Sequence, residues 1–170
     1  MAVSDLRAQL IRNFNEIDLE VSKRAPLYDG AASGGVAGPR EGTLAKKLGA
    51  GYDVVPPGKR SCPYHFHYAQ EEMFVILEGE GTLRVADEMI PIRAGDVIDI
   101  PPGPEFPHQI INTSNAPLKY LSISTQELPE VCEYPDSKKY VAYSRVKGPL
   151  LDGGRMHRVD TDLDYWDGEE

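Results

Sequence analysis

Glycine and proline interrupt this chain about every ten residues, 16 and 14 of them in 170, and the stretches between them are short and rich in β-branched and aromatic residues. Such punctuation leaves little room for long helices and favours many short strands joined by tight turns. The candidate strands are 51–55, 64–68, 72–78, 81–85, 89–92, 97–100, 108–112 and 118–124. Eight strands in so short a span, with no convincing helix between them, predict an all-β jelly roll or barrel and not a parallel α/β sheet. Ala86-Asp87-Glu88 and Ala94-Gly95-Asp96 read as tight turns, and Pro101-Pro102-Gly103-Pro104 as a rigid corner where proline fixes φ and glycine supplies unusual angles.

Length allows one sizeable core, so the chain reads as an N-terminal extension (1–43), a barrel (44–126) and a C-terminal extension (127–170). At the front, Leu6, Leu10, Ile11 and Phe14 fall at helical spacing behind Ser4-Asp5, which predicts a short amphipathic helix over 4–14. Residues 29–40, rich in Gly, Ala and Ser, read as a flexible loop. The acidic tail carries Tyr165-Trp166, an aromatic pair that predicts docking on another surface.

A net charge of −9 opposes a nucleic-acid footprint, because backbone phosphates need a basic face. No apolar run approaches a membrane span, and the first residues show no basic start followed by an apolar stretch, so a cytoplasmic protein is expected. Cys62 and Cys132 lack the spacing of a structural zinc site and are too few for a disulfide framework. Cys62, three residues before His65, is expected to be a small buried side chain rather than part of a site.

The chemistry concentrates in His65-Phe66-His67-Tyr68-Ala69-Gln70-Glu71-Glu72. Side chains two apart on a strand share a face, so His65 and His67 can aim two imidazoles at one point. Glu72 opens the next strand and can return a carboxylate beside them. Alternation sends one of Glu71 and Glu72 inward and the other outward; Glu72 is taken as the inward residue. Imidazole with carboxylate suits Fe, Mn, Zn, Ni or Co. His108, which starts a strand after the Pro/Gly corner, is the fourth candidate ligand, whereas His157 has no partner at ligand spacing and reads as a surface residue.

The segment from Gly58 to Gly79 resembles the first motif of the cupin superfamily: Gly, five residues, His-x-His, three or four residues, Glu, six residues, Gly. The interval before His65 is six residues here, while Glu72 to Gly79 keeps its six, which supports Glu72 over Glu71. Gly95 to Asn112 resembles the second motif, with four residues in place of two before His108. The likeness to small bacterial single-cupin proteins spans residues 44–126 and implies a double-stranded β-helix, or jelly-roll β-barrel. It also implies one divalent metal ion (Zn, Fe, Mn or Ni) on His65, His67, Glu72 and His108.

Cupins include isomerases, epimerases, dioxygenases, decarboxylases, sensors and storage proteins, so the resemblance transfers a site and not a reaction. The expected function is an enzyme using the metal as a Lewis acid on a sugar or sugar phosphate, isomerase- or epimerase-like. The alternatives are an Fe(II)-dependent dioxygenase and a small-molecule-binding cupin without turnover. Tyr64, Tyr68 and Arg84 are candidates to position substrate oxygens, though tyrosine on a barrel strand more often packs in the core or rim. The expected partners are a small-molecule ligand and a second copy in a homodimer, with no nucleic acid and no membrane. The 133–139 segment, Glu133 through Lys139, is expected to be a loop over the barrel mouth or toward a partner.

Overall fold

The computed structural model describes residues 3–38, 41–144 and 154–169, with the side chains of 3–5 left out. The expected cap Ser4-Asp5, the loop end Pro39-Arg40, and Gly153 and Glu170 therefore fall partly or wholly outside the described residues.

In chain order the elements are α1 (Val3–Leu10), β1 (Glu20–Val21), β2 (Ala32–Ala37), β3 (Leu48–Val55), β4 (Phe66–His67), β5 (Glu72–Glu78), β6 (Glu80–Val85), β7 (Glu88–Arg93), β8 (Val97–Ile100), β9 (His108–Ile111), β10 (Leu118–Thr125), β11 (Glu130–Tyr134), a 3₁₀ turn (Pro135–Ser137), β12 (Lys139–Tyr143) and β13 (Arg155–Arg158). They form three antiparallel sheets, in the orders β1-β2-β3-β10-β5-β8, β13-β12-β11-β4 and β7-β6-β9. The all-β reading holds. Between β6 and β7, Ala86 and Asp87 both have positive φ, 46° and 67°, the geometry that matches a two-residue hairpin turn to the twist of its strands.

The core lies between the first and third sheets. Val55, Phe74, Ile76, Ile100, Leu118 and Tyr120 come from the first, and Leu83, Ile92 and Ile110 from the third. Burying a side chain such as Ile76 or Leu118 stabilises the fold by about 1.5–3 kcal/mol each. Strand register arranges the interior face of the large sheet in rows: Val55 with Leu118, then Asp53, Tyr120 and Ile76, then Gly51, Ser122 and Phe74, then Gly49, Ser124 and Glu72. The rows run from apolar to polar, so one end of the barrel is packed shut and the other is a wet mouth.

Three expectations are corrected. Residues 32–37 are strand β2, paired with β3, and not a loop. Glycine is accommodated there because neighbours occupy the space a side chain would take: a Cβ on Gly34 would meet Asp18 O at 2.6 Å, and one on Gly35 would meet the Glu41 carboxylate. Residues 130–143 form the β11–β12 hairpin, which pairs with β4 and so joins the barrel instead of forming a loop over it. The helix ends at Leu10, short of Phe14; Asn13 instead accepts the Asn15 N–H at 3.0 Å, a local bond that competes with helix, and Phe14 packs on Tyr52. At the other end Tyr165 and Trp166 are exposed and pack on each other, so the tail does not dock on its own barrel.

Candidate metal centre

Alternation on the short strand β4 sends Phe66 into the core and leaves His65 and His67 to converge on the other side. Two reciprocal main-chain hydrogen bonds, His65 N–H to His108 O at 3.1 Å and His108 N–H to His65 O at 2.8 Å, clamp the first and last candidate ligands together. The longer Pro104–Pro107 interval is absorbed in the corner before this bridge, which is why His108 keeps its place. Glu72 enters from the first residue of β5, while Glu71 is exposed as expected.

Each imidazole is anchored through Nδ1. His65 donates to Pro63 O at 2.8 Å, His108 to Phe106 O at 3.2 Å and His67 to Glu130 Oε1 at 3.1 Å. With a proton on Nδ1, each ring turns an Nε2 lone pair away from its anchor. The three Nε2 atoms approach Glu72 Oε2 at 2.8 Å (His108), 3.5 Å (His67) and 3.7 Å (His65). His108 Nε2 and Glu72 Oε2 are shielded from solvent and face each other without hydrogen-bond geometry. Converging lone pairs and a carboxylate with no donor among them fit a divalent cation. Burial pushes the Glu72 carboxyl up, but imidazoles that carry a second proton on Nε2, His108 foremost, outweigh it and hold it down to about 2; a cation among neutral imidazoles would supply the same positive charge.

The hairpin β11–β12 completes the surroundings. Glu130, 1% exposed, accepts the N–H groups of Tyr68 at 3.2 Å and of Ala69 and Gln70 at 2.9 Å each, besides the imidazole of His67. Cys132 pairs with His67 in register, and its sulfur forms a second potential ligand grouping with His65 and His67. Tyr134 stacks on His65 with ring centroids 6.0 Å apart. Burial pushes the Cys62 and Cys132 thiols up to about 12, so both stay neutral near pH 7, and both are free. Cys62 is half-buried, with Sγ 4.0 Å from His65 Nδ1, so it borders the centre. Glu130, Cys132 and Tyr134 are site residues that sequence reasoning missed; of the three, only Tyr134 falls in the 133–139 segment, the one signal the sequence carried here.

The structure does not bring the proposed substrate-positioning residues to the cage. Arg84 pairs with Gln109 across β6–β9, and the adjacent Val85 pairs with His108, so alternation puts Arg84 on the opposite face from His108. There it stacks over the Tyr64 ring at 3.7 Å and makes a two-pronged bond to Asp136, at 2.6 and 2.9 Å, fastening the hairpin. Tyr64 is buried under that guanidinium. Tyr68 is exposed and donates to Glu133 at 3.3 Å.

His67, Glu72 and Glu130 open onto a cavity of about 860 Å³ at the polar end of the barrel, between β2–β3, β10 and the hairpin. Its walls carry Gln70, Ser122, Ser124 and Gln126, with Glu41 and the exposed Lys46 at the rim.

Residues 51–124, which make up most of this barrel and carry the four candidate ligands, match the family model described as a cupin domain. Two curated proteins are similar to part of the chain. One is an uncharacterised protein of Methanocaldococcus jannaschii, 42% identical over 71 residues; the other is an oxalate-binding protein of Thermotoga maritima, 38% identical over 69. These alignments cover 42% and 41% of this chain, and the chain spans about half, 54%, of the length of each relative. The crystal structure of a sugar phosphate isomerase from a cupin superfamily, from Silicibacter pomeroyi, superposes with a TM-score of 0.72 over 91% of this chain and 96% of its own, at 22% identity, which shows a shared fold. Among the described residues no helix is long and apolar enough to cross a membrane.

Proposed function

We propose that this protein is a metal-dependent enzyme acting on a small oxygenated substrate of the sugar or sugar-phosphate class, with isomerase- or epimerase-like chemistry. The observation that carries this reading is the convergence of three Nε2 atoms and Glu72 Oε2 at the wall of a polar cavity large enough to seat a substrate beside an ion. His65, His67, Glu72 and His108 would hold a divalent ion, which would supply Lewis-acid polarisation to a carbonyl or hydroxyl oxygen of the substrate. The chain's own part is to orient the substrate: Gln70, Ser124 and Gln126 offer hydrogen bonds to hydroxyl groups, and Lys46 at the rim offers a cation to a phosphate or carboxylate. The likeness to the Silicibacter pomeroyi protein is consistent with this substrate class.

A second reading, favoured by the Thermotoga maritima relative, is that the same cage binds a small dicarboxylate such as oxalate without turnover. We further propose a cytoplasmic homodimer; a monomeric mass in sedimentation would sink the dimer.

The test begins with elemental analysis of the purified protein beside a His65→Ala/His67→Ala variant. About one equivalent of metal in the parent and almost none in the variant is expected. The loaded parent is then offered aldose and ketose phosphates with Zn(II) or Mn(II), oxygen uptake is followed with Fe(II), and oxalate binding is measured by calorimetry. Turnover of a sugar phosphate supports the first reading. Oxygen consumption identifies an Fe(II)-dependent dioxygenase, and oxalate binding without chemical change identifies a binding protein. Failure of both proteins to take up metal refutes the cage.

A further inference from the structure

One charged group on the interior face of the barrel has no part in the cage. Asp53 shares a register row with Tyr120 and Ile76, is 8% exposed, and accepts a hydrogen bond from Ser122 Oγ on its Oδ2 at 2.9 Å. Among the described residues its Oδ1 has no protein donor. A buried carboxylate with a single hydrogen bond is a costly thing to keep for packing alone. Ser122 stands one row nearer the mouth and lines the cavity together with His67 and Glu72. Opposite it on β3 is Gly51, where a Cβ would lie 2.8 Å from Ser122 Oγ, so the missing side chain gives the hydroxyl its room.

We propose that Ser122 and Asp53 are the proton-transfer pair of this site, acting on a substrate with a hydrogen on the carbon beside a carbonyl, such as an α-hydroxy ketone or aldehyde. The proposal rests on the Lewis-acid reading above and deepens it. Ser122 Oγ takes the proton from that carbon while its own hydroxyl proton passes to the Asp53 carboxylate. The C–H electron pair becomes the C=C bond of an enediolate, and the carbonyl oxygen takes the negative charge. Asp53 then returns a proton through Ser122 to the former carbonyl carbon, as the hydroxyl proton on the carbon first deprotonated moves to the former carbonyl oxygen and leaves a new carbonyl behind. Isomerisation is complete with no oxidant or other co-reactant. Ser122 is the group in reach of substrate; Asp53 positions it and stores the proton.

Charge supports the geometry. Burial, opposed by the Ser122 bond and reinforced by Glu72, pushes Asp53 up to about 6, close to neutral pH. The titratable groups facing it are Glu72 from β5, Tyr120 from β10 and Cys62 from the segment before β4. Burial raises the phenol and the thiol, so both stay protonated and do not compete for the proton.

The experiment follows hydrogen–deuterium exchange at carbon in dihydroxyacetone phosphate by proton NMR in D₂O, from roughly pH 5 to 9, for Zn(II)- or Mn(II)-loaded parent, Asp53→Asn and Ser122→Ala. The expected result is exchange by the parent that rises through about pH 6, falls ~100-fold or more in both variants, and loses that rise in Asp53→Asn. Variants within about threefold of the parent overturn the pair and leave the Lewis-acid reading standing. A metal-loaded parent that exchanges nothing overturns both. A carbon-13 titration of the parent gives an independent arm: an Asp53 midpoint near the ordinary ~4 overturns the pair whatever the exchange shows.

Discussion

Asp53→Asn has a consequence for stability opposite in sign to its consequence for activity. The parent carboxyl titrates near 3.8 when unfolded and at about 6 when folded, burial being the main cause. Below pH ~4 both states are protonated and the group contributes nothing. Between about 4 and 6 the unfolded chain gives up its proton more readily, so the folded state loses stability as pH rises. Above 6 the full penalty is in place: a shift of about two units corresponds to about 3 kcal/mol. Asparagine is close in shape, still accepts the Ser122 hydroxyl through its oxygen, and carries no charge to desolvate. Urea unfolding of parent and variant should therefore coincide near pH 4, then diverge until the variant is about 2–3 kcal/mol more stable at pH 8. A pH-independent difference, or a variant less stable at pH 8, would refute the reasoning, because it would mean that Asp53 is not a desolvated carboxylate.

Other expectations follow from the same geometry. Glu130→Gln places an amide group among four hydrogen donors; it should lower Zn(II) affinity roughly 10–100-fold by chelator competition, through loss of the His67 anchor, and cost about 2–4 kcal/mol in unfolding measurements. Gly79→Ala should destabilise by roughly 2–4 kcal/mol, since Gly79 sits at φ 86° and a Cβ would approach Pro117 O to 2.5 Å. Arg84→Ala should change global stability by no more than ~1 kcal/mol, because its partner Asp136 is largely exposed, yet raise amide exchange in residues 130–143 by releasing the hairpin.

The barrel and the histidine pair were legible because both are written in local patterns. Period-two alternation and Gly/Pro spacing mark β5 through β10 to within a residue or so at each end, and His65-x-His67 needs only one strand to share a face. Glu72 needed one turn more. What the sequence did not disclose depends on distant pairing. Glu130 and Cys132 reach His67 only because β11 pairs with β4 some 60 residues away. Arg84 is near the cage in sequence-derived register but on the wrong side of its strand, a distinction that required knowing that Val85, not Arg84, faces His108. β2 was hidden because Ala-Ser-Gly-Gly-Val-Ala has loop composition, its glycines leaving room for Ile17, the Asp18 carbonyl, Leu19 and Glu41, which lie outside the strand in sequence. Asp53 drew no notice because an isolated acidic residue in a strand carries no signal until the rows of the barrel are aligned.

The Glu130 latch bears on where this barrel can be cut. Residues 51–124 look self-sufficient by strand count, and an engineer seeking a minimal scaffold would stop near Gln126. Such a fragment would keep all four candidate ligands and still lack the carboxylate that orients one of them and ties down the three amides that follow it. The smallest portable unit for this centre extends through the β11–β12 hairpin, so a graft into another protein must carry two separated stretches of chain or forgo the orientation of His67.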